Sequence, residues 1–164
     1  MILFKNFIIR HWDGRLRKYA DRYLHRPDIT KDKDFQNLYK KVGSKKSKYT
    51  LTTVERCYAL YKSIQYITKG DIQGDIVECG VWRGGSAMLA ALTLIENQQT
   101  HRKIYLYDTY EGMSEPTDKD IDIHGVPYRL LWKKENELLT VSLDEVKKNM
   151  FSTGYPKENI IFVK

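Results

Sequence analysis

Gly74-Asp75-Ile76-Val77-Glu78-Cys79-Gly80-Val81-Trp82-Arg83-Gly84-Gly85-Ser86 is the stretch that decides how this chain folds. Ile76 to Cys79 has the length and apolar character of a buried strand, and it carries an acid and then a glycine at its end. Gly84-Gly85-Ser86 follows and opens an apolar helix from Ala87 to Ile95. A strand, a glycine turn and a helix in this order begin a doubly wound α/β sheet, whose ligand sits beyond the carboxyl ends of the strands.

The turn also restricts the ligand. A pyrophosphate site needs Gly-x-Gly-x-x-Gly so that backbone amides can approach the phosphates. Here the spacing is Gly80-x-x-x-Gly84-Gly85, and Glu78 stands two residues before the first glycine. A carboxylate there repels phosphates and suits an amine or hydroxyls. No Lys-Ser or Lys-Thr follows the glycines, so the nucleoside-triphosphate loop is absent too, and Ser86 is a polar group at the helix start. S-adenosylmethionine fits, because it has an ammonium, a carboxylate, a sulfonium and a ribose but no phosphate. A nicotinamide-dependent oxidoreductase lacks its fingerprint here.

A second anchor lies downstream. Lys103-Ile104-Tyr105-Leu106-Tyr107-Asp108 reads as another strand ending in an acid. From a strand tip Asp108 can accept hydrogen bonds from both ribose hydroxyls. Glu111, in the loop that follows, has two readings: contact with the ribose or adenine, or a cap on the next element. The bland readings are turn and packing glycines at 80, 84 and 85, solvated strand ends at Glu78 and Asp108, and a small buried hydrophobe at Cys79.

The run Glu78-Cys79-Gly80-Val81-Trp82-Arg83-Gly84-Gly85-Ser86, followed by Tyr107-Asp108-Thr109-Tyr110-Glu111-Gly112-Met113, closely resembles the macrocin O-methyltransferase (TylF/MycF-type) family. The resemblance runs from about Tyr49 to Lys164. It implies a Rossmann-like S-adenosylmethionine fold and a Mg²⁺-dependent O-methylation of a sugar hydroxyl, on a natural product or glycan. In that family the metal-binding acids and the catalytic base lie beyond the third strand, so the resemblance assigns neither a catalytic residue nor a metal ligand to this chain.

Composition bounds the remaining readings. The 164 residues, 41% hydrophobic and 12% aromatic, suffice for one domain with a core. Cys57 and Cys79 have neither zinc-ligand spacing nor a disulfide framework, so a reducing, cytoplasmic setting is expected. No apolar run reaches membrane-spanning length. Residues 1–50 hold 14 Lys/Arg against 5 Asp/Glu, whereas residues 51–164 hold 14 against 16. The basicity is N-terminal, and a nucleic-acid substrate across the catalytic part is not expected.

Residues 1–48 read as a basic helical segment and linker, and 49–164 as the cofactor-binding half of a methyltransferase domain. Phe4, Ile8, Trp12, Leu16 and Tyr23 recur at near-helical spacing among basic residues. This predicts an amphipathic helix over about 1–24, packed on protein or resting on an anionic membrane surface. Arg26 to Lys48 is polar and reads as a linker. Thr52-Thr53-Val54-Glu55 predicts a capping box before a helix with Val54, Cys57, Tyr58, Tyr61, Ile64 and Ile67 on its apolar face and Gly70 as its stop. Tyr58 and Tyr61 read as core.

Asp118-Lys119-Asp120-Ile121-Asp122-Ile123-His124 fails the calcium-loop pattern at Ile123 and Arg129. It reads as a solvated lid; in extended form its acids and His124 would share one face and offer a weak divalent site. His124 as general base is a third reading. Ser142-Leu143-Asp144-Glu145 predicts another capping box, and Ile160 to Val163 a third strand.

About three parallel strands are thus expected where a complete methyltransferase sheet has about seven. The expectation is an apparently incomplete Rossmann-like α/β fold with N-terminal helices, from a truncated gene product or one part of a split sheet. Such a half-sheet exposes an edge and a face, so a homo-oligomer is expected. A non-catalytic, partner-binding remnant is the alternative function.

Overall fold

A computed structural model describes residues 27–43, 49–122 and 124–164. The basic stretch 1–24 and the lysine cluster at 44–48 lie outside the described residues. The chain divides after Asn37 into two compact units.

Arg26 to Lys48, expected as a linker, contains two helices: α1 (Pro27–Lys31) and α2 (Lys33–Val42). Proline at the first helical position costs nothing, since its missing N–H would have no partner there. Asp32 caps α2 by accepting from Phe35 N at 2.9 Å. Phe35, Leu38 and Val42 are its buried positions. The polar composition of the stretch hid a three-residue apolar stripe.

The second unit is Leu38–Lys164. It contains α3 (Val54–Lys69), β1 (Ile76–Cys79), α4 (Gly85–Glu96), β2 (Ile104–Tyr107), α5 (Arg129–Leu139), α6 (Leu143–Phe151) and β3 (Ile160–Val163). The three strands are parallel in the order β1-β2-β3. This is an incomplete α/β methyltransferase-like fold with the three strands the sequence predicts. The capping box at α3 does not form: the cap residue is Thr53, not Thr52, and no side chain caps the helix. At α6 the Ser142 hydroxyl does accept from Glu145 N, at 3.3 Å.

Register decides which side chains meet the helices. Ile76 pairs with Ile104 and Glu78 with Leu106, while Ile104 and Leu106 pair with Ile160 and Phe162. These residues share one face because side chains alternate along a strand. Ile104 and Leu106 are fully buried there. α4 packs over β2 on this face, flanked by α3 and α6. Its run Ala87 to Leu94 is buried throughout, as expected of a helix that is apolar all round.

The opposite face is only partly covered: Tyr105, Ile161 and Val163 are half-buried there. Val77 is 61% exposed and Tyr107 43%. Cys79, expected as a buried hydrophobe, is exposed for the same reason: its parity puts it with Val77. Tyr61 is core as expected, whereas Tyr58 is only half-buried and stacks on it with ring centroids 6.1 Å apart.

Candidate functional site

The turn from Gly80 to Gly85 is tied to its surroundings on three sides. Gly80 N donates to Tyr107 O at 2.8 Å, which joins it to the tip of β2. Asn149 Nδ2 donates to Arg83 O at 2.9 Å, and Arg83 pairs with Glu145 at 3.3 Å, both on α6. Gly85 N donates to Tyr49 O at 3.0 Å. A Cβ at Gly85 would lie 2.4 Å from that carbonyl oxygen, so only glycine lets the two backbones approach. Gly80 and Gly84 both have φ +85, and Gly84 is the cap residue of α4.

Glu78 points under the start of α4. Burial of its carboxyl outweighs the opposing pull of the nearby Ala87 N–H and Ser86 hydroxyl and pushes its pKa up from 4.5 to about 7. The residue as a whole is half-buried, yet its Oε2 is enclosed and has no partner. It lines a cavity of about 270 Å3 together with Thr52, Arg56, Cys57, Ser86 and Ala87. A buried acceptor left without a donor is uncommon and marks a place for one.

Asp108 sits on the other side of the turn. Its Oδ2 accepts from Val81 N at 2.6 Å and Trp82 N at 3.2 Å. Its Oδ1 accepts from Tyr110 N at 2.8 Å. Burial opposes ionisation, but these bonds outweigh it and hold the carboxyl below its ordinary value of 3.8. A carboxylate has about four acceptor positions. Three are taken by backbone, and Thr109 Oγ1, at 3.5 Å from Oδ1, makes its better bond to Gly112 O at 2.7 Å. About one acceptor position is left open. Beneath this tip the Tyr110 hydroxyl donates to Leu106 O at 2.7 Å, and burial raises its pKa to about 12.

Asp108 lines a second cavity, of about 380 Å3, with Gly80, Trp82, Thr109, Met113 and Leu139. Glu78, Ser86, Gly80 and Asp108 therefore meet across one turn, with a cavity on each side. Glu111 does not join them: its carboxylate pairs with Lys164 Nζ at the surface. It caps no helix either.

The acidic run 118–124 does not form an extended strand. Asp118 pairs with Arg129 at 2.7 Å, Asp120 accepts from Thr117 N and Oγ1, and Asp122 accepts from His124 N and Val126 N. Asp120 and Asp122 each close a local turn, Asp118 reaches across to Arg129, and an antiparallel bridge joins Ile121 to Pro127. His124 is exposed and lines neither cavity. Among the described residues no three His, Cys, Asp or Glu side chains gather as metal ligands.

Sequence reasoning missed Thr52 and Arg56. They stand on and before α3, more than 20 positions from Glu78, and only the packing of α3 on α4 brings them to it. Trp82 was quoted as part of the motif but given no task; its indole Nε1 donates to Leu138 O at 3.0 Å.

Residues 14–164 match the model of the macrocin-O-methyltransferase (TylF) family. The chain is 29% identical over 115 residues to 8-demethyl-8-(2,3-dimethoxy-alpha-L-rhamnosyl)-tetracenomycin-C 4'-O-methyltransferase of Streptomyces olivaceus, covering 70% of this chain and 43% of that one. It is 26% identical over 117 residues to mycinamicin III 3''-O-methyltransferase of Micromonospora griseorubida, covering 70% and 45%. The solved structure of the O-methyltransferase NovP superposes with a TM-score of 0.59 at 24% identity, over 70% of this chain and 46% of that one, which shows the shared fold. The chain thus spans under half the length of the relatives it matches.

Proposed function

The chain belongs to the macrocin-O-methyltransferase family, and we propose that it carries the cofactor site of an S-adenosylmethionine-dependent O-methyltransferase acting on a sugar hydroxyl of a natural product or glycan. The observation that carries this reading is the enclosed, unpartnered Oε2 of Glu78 in a cavity that also holds Arg56. An amino-acid tail meets both groups there: its ammonium faces the Glu78 carboxylate, and its carboxylate faces Arg56, Thr52 and the amide end of α4. Gly80, Gly84 and Gly85 keep side chains out of the turn, and Ser86 orients Glu78.

The 380 Å3 cavity takes the nucleoside, with Asp108 accepting one ribose hydroxyl. Glu111 can join only by leaving its surface ion pair with Lys164. The bound cofactor supplies an electrophilic methyl on a sulfonium; this chain's residues bind and orient it in line with an acceptor.

Residues 49–164 are the cofactor-binding half and residues 1–48 an accessory segment, within a cytoplasmic protein that takes a small-molecule or glycan acceptor and no nucleic acid. No helix among the described residues is long and apolar enough to cross a membrane. Mg²⁺ is a family expectation to which no residue of this chain and no step is assigned. The exposed residues Val77, Cys79 and Tyr107 on one sheet face support self-association of the isolated chain.

Calorimetric titration with S-adenosylhomocysteine tests the site, with Asp108→Ala as control. Micromolar binding that the substitution abolishes supports the reading; absence of heat at millimolar ligand overturns it for this chain.

A further inference from the structure

We infer that Trp82 is a positioning residue that latches α5 onto the cofactor turn, so that docking of this helix and occupancy of the nucleoside cavity are coupled. Trp82 has φ +49, in the left-handed region that a bulky side chain rarely adopts. Such a conformation persists only where its surroundings hold it. Here Asp108 holds it, accepting the amides of both Val81 and Trp82. The same carboxylate that lines the cavity thereby sets the direction of the indole.

The indole reaches Leu138 O at 3.0 Å. That carbonyl belongs to the last turn of α5, where carbonyls have no partner within the helix. A second tie lies on the far side: Met113 N donates to Asn136 Oδ1 at 2.8 Å. Gly112 packs against the same turn so closely that a Cβ there would meet Thr140 Oγ1 at 2.4 Å and Asn136 Oδ1 at 2.5 Å. Trp82, Met113 and Leu139, each at or beside one of these ties, are three of the walls of the 380 Å3 cavity.

Of the apolar side chains described on α5, Trp132 and Leu139 are half-buried and two are largely in solvent. Leu130 is 71% exposed and Leu138 57%, and α5 is absent from the closely packed pairs of elements in the described residues. An element held by a few polar bonds opens locally at low free energy, while α4, buried throughout, does not. A ligand in the cavity touches both sides of the latch, so it favours the docked helix, and the docked helix retains the ligand.

Hydrogen–deuterium exchange tests the latch in the 164-residue chain, comparing residues 129–140 with residues 85–96. Trp82→Phe keeps a ring and loses the indole N–H. Exchange over 129–140 should then rise about five-fold, the equilibrium factor for one ordinary hydrogen bond, with 85–96 unchanged. Asn136→Leu, which removes the acceptor for Met113 N, should do the same from the other side. Unchanged exchange over 129–140 in both variants overturns the latch, as does an equal rise over 85–96, which would report general loosening. This ligand-free comparison stands apart from the cofactor reading. The coupling rests on that reading: S-adenosylhomocysteine should protect 129–140 and leave Trp82→Phe about five-fold faster than the wild type. If ligand binds with no protection of 129–140, the coupling fails while the cofactor reading survives.

Discussion

Replacing Glu78 by Gln should stabilise the protein at neutral pH while weakening its ligand. Burial raises the Glu78 pKa from 4.5 to about 7. Between those values the folded chain keeps a proton that the unfolded chain has lost. Stability therefore falls as pH rises through this window, then levels off above 7. At 1.36 kcal/mol per pKa unit the loss is roughly 3 kcal/mol. Gln is neutral at every pH and keeps an oxygen for Ala87 N and the Ser86 hydroxyl, so its curve lacks this fall. Urea unfolding from pH 4 to 8.5 reads the difference: no gap near pH 4, and a variant more stable by roughly 3 kcal/mol at pH 8. For a chain of this size that is a rise in Tm of about 6–12 °C.

The charge of Asp108 raises the pKa of the same carboxyl further, and Arg56 lines the same cavity. An ammonium beside Oε2 requires the carboxylate, so at pH 6 binding should release a proton. Calorimetry in two buffers of different ionisation enthalpy detects it in the wild type and not in Glu78→Gln, whose affinity should drop about ten-fold or more. Parallel stability curves for the two proteins, or a variant less stable at pH 8, would refute the reasoning.

Other substitutions separate binding from scaffold. Asp108→Asn presents an amide to backbone donors, and with part of the site in solvent it should cost about 2 kcal/mol in urea unfolding as well as ligand affinity. Gly85→Ala drives a Cβ toward Tyr49 O, a backbone atom with little room to move, and should destabilise by about 1–3 kcal/mol. Arg102 is buried and donates to Gly74 O at 2.6 Å and Ile72 O at 2.7 Å, before β1 and away from the carboxyl ends of the strands. Arg102→Ala should cost about 2–3 kcal/mol in unfolding and leave ligand affinity within about two-fold, since it loosens only the entry to β1. Lys164→Ala removes an exposed ion pair and should change stability by less than about 0.5 kcal/mol. Light scattering should find the isolated chain associated; a clean monomer with high Tm would count against the self-association proposed for its exposed sheet residues.

The strands and the turn were legible because their cues are local. Ile76 to Cys79, Ile104 to Tyr107 and Ile160 to Val163 are short β-rich runs between turn residues, and Gly80, Gly84 and Gly85 punctuate the link to α4. α2 was not legible, because Phe35, Leu38 and Val42 are a thin stripe in a polar stretch. The capping box at α3 misled for the opposite reason: its residue types are right, but Thr53, one position later, takes the cap.

By itself the sequence determined that Glu78 and Asp108 stand at the carboxyl ends of two strands beside a glycine turn, because residue types and spacing within a few positions suffice for that. Side chains alternate along a strand, so Glu78 and Cys79 lie on opposite faces of the sheet, which the expectation of a buried Cys79 left out. Only the tertiary structure decided which face α4 covers. That choice buries Glu78 and shifts its pKa, and it leaves Cys79 in solvent. It likewise brought Arg56 to Glu78, spent three of Asp108's acceptor positions on backbone, and set Trp82 against Leu138. Apart from the Tyr110 bond to Asp108, each of these joins residues far apart in the chain, where packing and register, not local propensity, choose the partner.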